Sequence, residues 1–112
     1  MKPFIQDGHI LVLRAVRALI GTNTRLVVEA IATVDWASAT FVGKRHCCEF
    51  RVEGPERDVA DALDRLARDL PETDVAACGH FLADCVLDAA KISRGPDGAV
   101  AEIVIEALTI AE

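Results

Sequence analysis

Two stretches of strict two-residue alternation flank one segment that repeats every three to four residues. That succession limits the chain to a mixed fold in which strands and helices share one core. The helical segment spans 55–70. Val59, Leu63, Leu66, Ala67 and Leu70 recur at helical spacing, Pro55 suits a first helical position, and Pro71 stops the run. Glu56 and Asp58 favour the helix dipole, and Asp61–Arg65 and Asp64–Arg68 are spaced as ion pairs along its polar side.

The C-terminal third predicts a long hairpin. Its arms span about 80–92 and 99–110, and the turn 94–98 is supplied by Gly, Pro and Asp. In the second arm Ala101, Ile103, Ile105 and Ala107 share one face, and Glu102, Val104, Glu106 and Leu108 share the other. An earlier hairpin uses 26–36 and 41–52. Leu26, Val28, Ala30, Ala32, Val34 and Trp36 are assigned to the core face of its first arm. His46, Cys48, Phe50 and Val52 are assigned to that face of the second arm. Segment 8–20 has both characters. Gly21 and Asn23 end a helix well, whereas β-branched residues favour a strand; the helix is preferred.

The expected order is therefore αββαββ in one domain spanning 1–112. It is an α+β two-layer sandwich, an antiparallel sheet with two helices on one face. A right-handed crossover through 55–70 leaves a gap that the last strand fills. The four strands then lie in the order first, second, fourth, third, a circular permutation of the ferredoxin-like sandwich. This is a deduction from topology.

Composition narrows function. A chain of 112 residues with 52% apolar residues can bury one core. Its net charge of −6 and the lack of a basic run argue against nucleic acid. The apolar run at 10–13 is interrupted by Arg14 and Arg17, too early for a signal or a membrane span, so the cytoplasm is the expected location and no membrane contact is foreseen.

The sheet face away from the helices is expected to carry Arg45, Cys47, Glu49 and Arg51, then His80, Leu82, Asp84, Val86 and Asp88, then Glu102 and Glu106. Its mixture of charge and aliphatic surface suggests self-association of the sheet, with Arg45 and Arg51 answering acidic residues. For acid–base chemistry the candidates are His80, Asp84 and Glu49, with His46 an alternative in a pocket between sheet and helices. Yet His80 and Asp84 lie about 13 Å apart along a strand. Cys47 beside Arg45 is a candidate for a lowered thiol pKa.

The groups His46-Cys47-Cys48 and Cys78-Gly79-His80 invite a zinc site. Alternation, however, puts His46 and Cys48 on the helix side and Cys78 and His80 on the open side, so they converge only if a bulge intervenes. No metal and no cofactor are assigned; Cys48 and Cys85 are read as small core residues. The leading expectation is a non-enzymatic assembly or small-ligand-binding domain, a homo-oligomer through its sheet face. The alternatives are a small dimeric enzyme with a histidine–carboxylate pair and a zinc or thiol-redox protein.

Overall fold

The computed structural model describes residues 8–77 and 79–112. Element order is α1 (His9–Ile20), β1 (Arg25–Ala37), β2 (Val42–Gly54), α2 (Glu56–Asp69), a 3-10 turn (Leu70–Glu72), β3 (Ala76–Ala77), β4 (His80–Gly95) and β5 (Gly98–Ala111). The five strands form one antiparallel sheet ordered β1-β2-β5-β4-β3. The four long strands lie in the order the sequence suggested. The two-residue β3, which the sequence did not signal, is added beside β4.

Segment 8–20 is helical. Leu11, Val12, Ala15, Val16 and Ile20 are buried, Arg14 and Arg17 share the wet side, and Gly21 ends the helix at φ 82. In α2, Val59, Ala62, Leu63 and Leu66 are buried, and Pro55 stands just outside the first turn as the cap residue with extended ψ. Apart from Leu11, these buried residues pack against Cys48, Phe50 and Val52 of β2, Ala101, Ile103, Ile105 and Ala107 of β5, and Leu82 and Cys85 of β4 in a single core. Cys48 and Cys85 are thus core residues, as expected.

The expected (i, i+4) pairs on α2 do not form. Arg65 instead reaches the end of α1, where its guanidinium donates to the carbonyls of Leu19 (2.6 Å) and Ile20 (3.2 Å). Those carbonyls lack helical partners and carry the negative end of the helix dipole, so a cation satisfies both needs. Arg68 pairs with its neighbour Asp69.

Three bulges decide which residues face the helices. Register shifts at Glu29 in β1 and at Ala83 and Asp88 in β4 each insert one residue against an unbroken partner. Because side chains alternate with period two, each extra residue exchanges the faces beyond it. β2 and β5 pair without a shift, and their alternation is the one expected.

In β1, Leu26 and Val28 stand opposite Val52 and Phe50 on the helix side. Past Glu29, however, Ala30, Ala32, Val34 and Trp36 turn to the outer face, opposite Glu49, Cys47, Arg45 and Gly43. Their assignment to the core face is corrected accordingly. Ile31 and Thr33 take the helix side.

Counting back through Ala83 in β4, His80 and Leu82 lie on the helix side. Phe81, opposite Ile110, lies on the outer face, the reverse of expectation for all three. Asp84 and Val86 keep their expected outer positions. Asp88 is itself the inserted residue.

Candidate functional site

At one end of the sheet, on the helix side, polar residues gather where β1, β2, β5 and α1 meet. His46 is wholly buried. Its Nδ1 bonds Thr33 Oγ1 at 2.9 Å and its Nε2 bonds Thr109 Oγ1 at 2.8 Å. The Glu29 bulge is what places Thr33 beside His46 on this face. Thr109 is buried in an otherwise apolar run, Leu108 to Ile110. Gly8, at the head of α1, packs directly on the pair: a Cβ there would sit 2.6 Å from Thr109 Oγ1 and 3.2 Å from His46 Nε2.

Burial pushes the His46 imidazole down to about 4, with the nearby positive forms of His9, Lys44 and His80 adding to the effect. A neutral ring offers one donor and one acceptor, which the two threonine hydroxyls match. With both nitrogens engaged and no exposure, His46 holds three strands and a helix terminus together.

Beside it opens a cleft of about 470 Å³, lined by Asp35, Trp36, Val42, Gly43, Lys44, His80 and Ala111, among others. Lys44 Nζ and Asp35 form an ion pair across β1 and β2. The pairing lowers the Asp35 pKa, chiefly through the lysine hydrogen bond. Gly43 is required here: a Cβ would lie 2.1 Å from the Thr109 carbonyl oxygen, so no side chain fits between β2 and β5 at this row.

The sequence-derived candidates fall in separate places. His80 lines the cleft. Asp84 and Glu49 lie on the outer face, opposite Leu108 and Val104 of β5, four residues apart along that strand or about 13 Å. His80, Asp84 and Glu49 therefore form no acid–base group. Arg45 is exposed beside Leu108 and makes no ion pair among the described residues. Arg51 is held by Glu53 and Glu29, which raise its pKa.

Cys47 does not become a thiolate. Its thiol donates to the Glu106 carboxylate, and that bond, with burial and further acidic neighbours, pushes it up to about 11. Arg45 does not offset this, so the expected lowering is reversed. Burial likewise raises Cys48 to about 11 and Cys85 to about 12, and all three are free thiols.

The bulge needed to bring His80 to the side of His46 does exist. Among the described residues, however, no group of three or more His, Cys, Asp or Glu side chains could hold a metal ion. Cys78, the remaining member of that expected set, lies outside the described residues.

Sequence reasoning missed Thr33, Thr109, Asp35, Trp36 and Lys44 as parts of this site. The available signals were a threonine set into the apolar run of β5 and the chain's single tryptophan next to an aspartate at a strand end. No helix among the described residues is long and apolar enough to cross a membrane. The chain matches no known family model, and comparison with curated proteins and with solved structures finds no similar protein.

Proposed function

We propose that this chain is a non-enzymatic domain that binds a small ligand in the cleft at the Trp36–His80 end of the sheet. The carrying observation is the composition of that cleft. Ala37, Val42 and Ala111 supply apolar surface, Trp36 of the outward-facing row also lines it, and Lys44, Asp35 and His80 supply a few polar groups, in about 470 Å³. Ligand sites have this make-up and this size range. A small aromatic carboxylate suits it, with its ring on the apolar side and its charge near Lys44. Catalysis has less support: the thiols are held protonated and His46 is sealed by two hydrogen bonds.

The helices packed over one sheet face support reading the architecture as a two-layer sandwich with circularly permuted ferredoxin-like connectivity. Self-association through the outer face is less well supported. Glu49, Glu102, Glu106 and Asp84 stand there against Arg45 and Lys91, the cations of that face that form no ion pair among the described residues, so two stacked copies would oppose like charges.

Trp36, the sole tryptophan, reports on the cleft. Benzoate and naphthoate titrated into the labelled protein are expected to shift the Trp36 indole N–H resonance saturably. Their uncharged amides should bind more weakly, and Lys44→Ala should weaken carboxylate binding by about tenfold, the effect of losing about 1.4 kcal/mol. No saturable shift at millimolar carboxylate, or one that Lys44→Ala leaves unchanged, overturns the assignment.

A further inference from the structure

We infer that the free edge of β4 is a homodimer interface, with two copies pairing antiparallel about Ala90. β3 covers β4 only at His80 and Phe81, and the Leu82 amide still donates to the Val75 carbonyl just beyond it. From Asp84 to Gly95 the outer edge of β4 has no strand beside it among the described residues. Such an edge presents unpaired amides and carbonyls to any strand of matching register.

The occupant is identified by the register of β4 itself. A two-fold axis normal to a sheet must pass midway between a residue and its own copy, because directly paired residues share a face. Asp88 is an inserted residue and holds no place in the ladder with β5. Counted without it, the free edge from Asp84 to Gly95 has Ala90 at its midpoint. Centring the axis there pairs Ala90 with Ala90, Ala89 with Lys91, Leu87 with Ile92, Val86 with Ser93 and Cys85 with Arg94, and every pair lies on one face of the sheet.

The Leu82 amide points off this edge. Carried along the ladder, that alternation turns the amides and carbonyls of Cys85, Leu87, Ala90, Ile92 and Arg94 outward. These are the residues that meet one another in this register, giving about ten main-chain hydrogen bonds per dimer.

The side chains agree with the backbone. Asp88, standing between Leu87 and Ala89, faces the gap between Lys91 and Ile92 of the second copy, and the same ion pair recurs across the axis. Asp88 and Lys91 are both exposed, and neither has an ion-pair partner among the described residues. Leu87 and half-buried Ile92 meet as an apolar pair at each end.

The opposite edge, β1, offers no such charge pair. In β1, once the inserted Glu29 is left out of the count, Arg25 and Asp35 occupy opposite faces, so no two-fold register pairs them. Glu29 itself is engaged by Arg51.

Sedimentation velocity on the full chain from 1 to 300 µM tests the interface. A concentration-dependent dimer is expected. Ala90→Pro removes an amide on the free edge that has no strand partner among the described residues, so circular dichroism and melting should show a folded protein that stays monomeric. Lys91→Glu should raise the dimer dissociation constant at least about tenfold, and Asp88→Lys combined with Lys91→Glu should restore it, since close charge pairs couple by more than 1 kcal/mol. A wild-type monomer throughout the range overturns the proposal. So does a dimer that Ala90→Pro leaves intact, or a Lys91→Glu defect that the charge swap does not repair. None of these variants touches the ligand cleft, so this test and the carboxylate titration fail independently.

Discussion

His46 shows how one side chain can couple stability to pH. Its folded-state pKa, about 4, lies below the ordinary 6.5. The unfolded chain therefore binds the proton more readily, and between those values stability rises with pH. The contribution is complete above about pH 6.5, declines as pH falls toward 4, and amounts to about 3 kcal/mol at most. Denaturant midpoints measured from pH 4 to 7.5 should follow this slope in the wild type and flatten in His46→Gln, which keeps a donor and an acceptor but does not titrate. An equal slope in the variant would assign the effect elsewhere. The fully engaged ring is also why a lone buried histidine here is structural: both nitrogens are spent on Thr33 and Thr109.

At the scale of elements, α1 depends on α2 for its ending. α1 has no capping side chain at its start and no acidic residue in its first turn. At its other end, the last carbonyls are met by Arg65 from α2, supplemented by the Thr24 hydroxyl donating to Ile20. Arg65→Ala should lower stability by about 2 kcal/mol, the scale of charged hydrogen bonds to partly buried carbonyls. Arg68→Ala, which loses an exposed pair with Asp69, should leave stability almost unchanged. Chemical denaturation of the two variants compares them directly; equal losses would remove Arg65 from this role. The arginine's sequence spacing pointed instead to Asp61, because periodicity reports neighbours on one helix and is silent about the helix packed beside it.

Over the whole molecule, the parts legible in sequence were those governed by local rules. α2 announces itself through Pro55, its acidic first turn and its apolar stripe. β2 and β5 pair without interruption, so simple alternation assigned their faces correctly. The faces of β1 and β4 went wrong past Glu29 and before Ala83, since a bulge is defined by the residue opposite it, and neither residue has a local signature. The site inherited the same error. His80 was placed outside, Trp36 inside, and the Thr33–His46–Thr109 group could not be assembled from residues 63 apart in the chain.

The bulges also distinguish positions where the chain can change length. Losing one residue from an uninterrupted part of a strand would turn every later side chain over, carrying Glu and Arg into the hydrophobic interior and Ile to water. Losing Ala83 would straighten β4 and leave both flanking segments facing as they do now. Removal of Ala83 should therefore give a cooperatively melting protein, whereas removal of Val104 should give an insoluble or unfolded one. The molecule thus carries, within its sheet, sites where a codon can be gained or lost without reversing inside and outside.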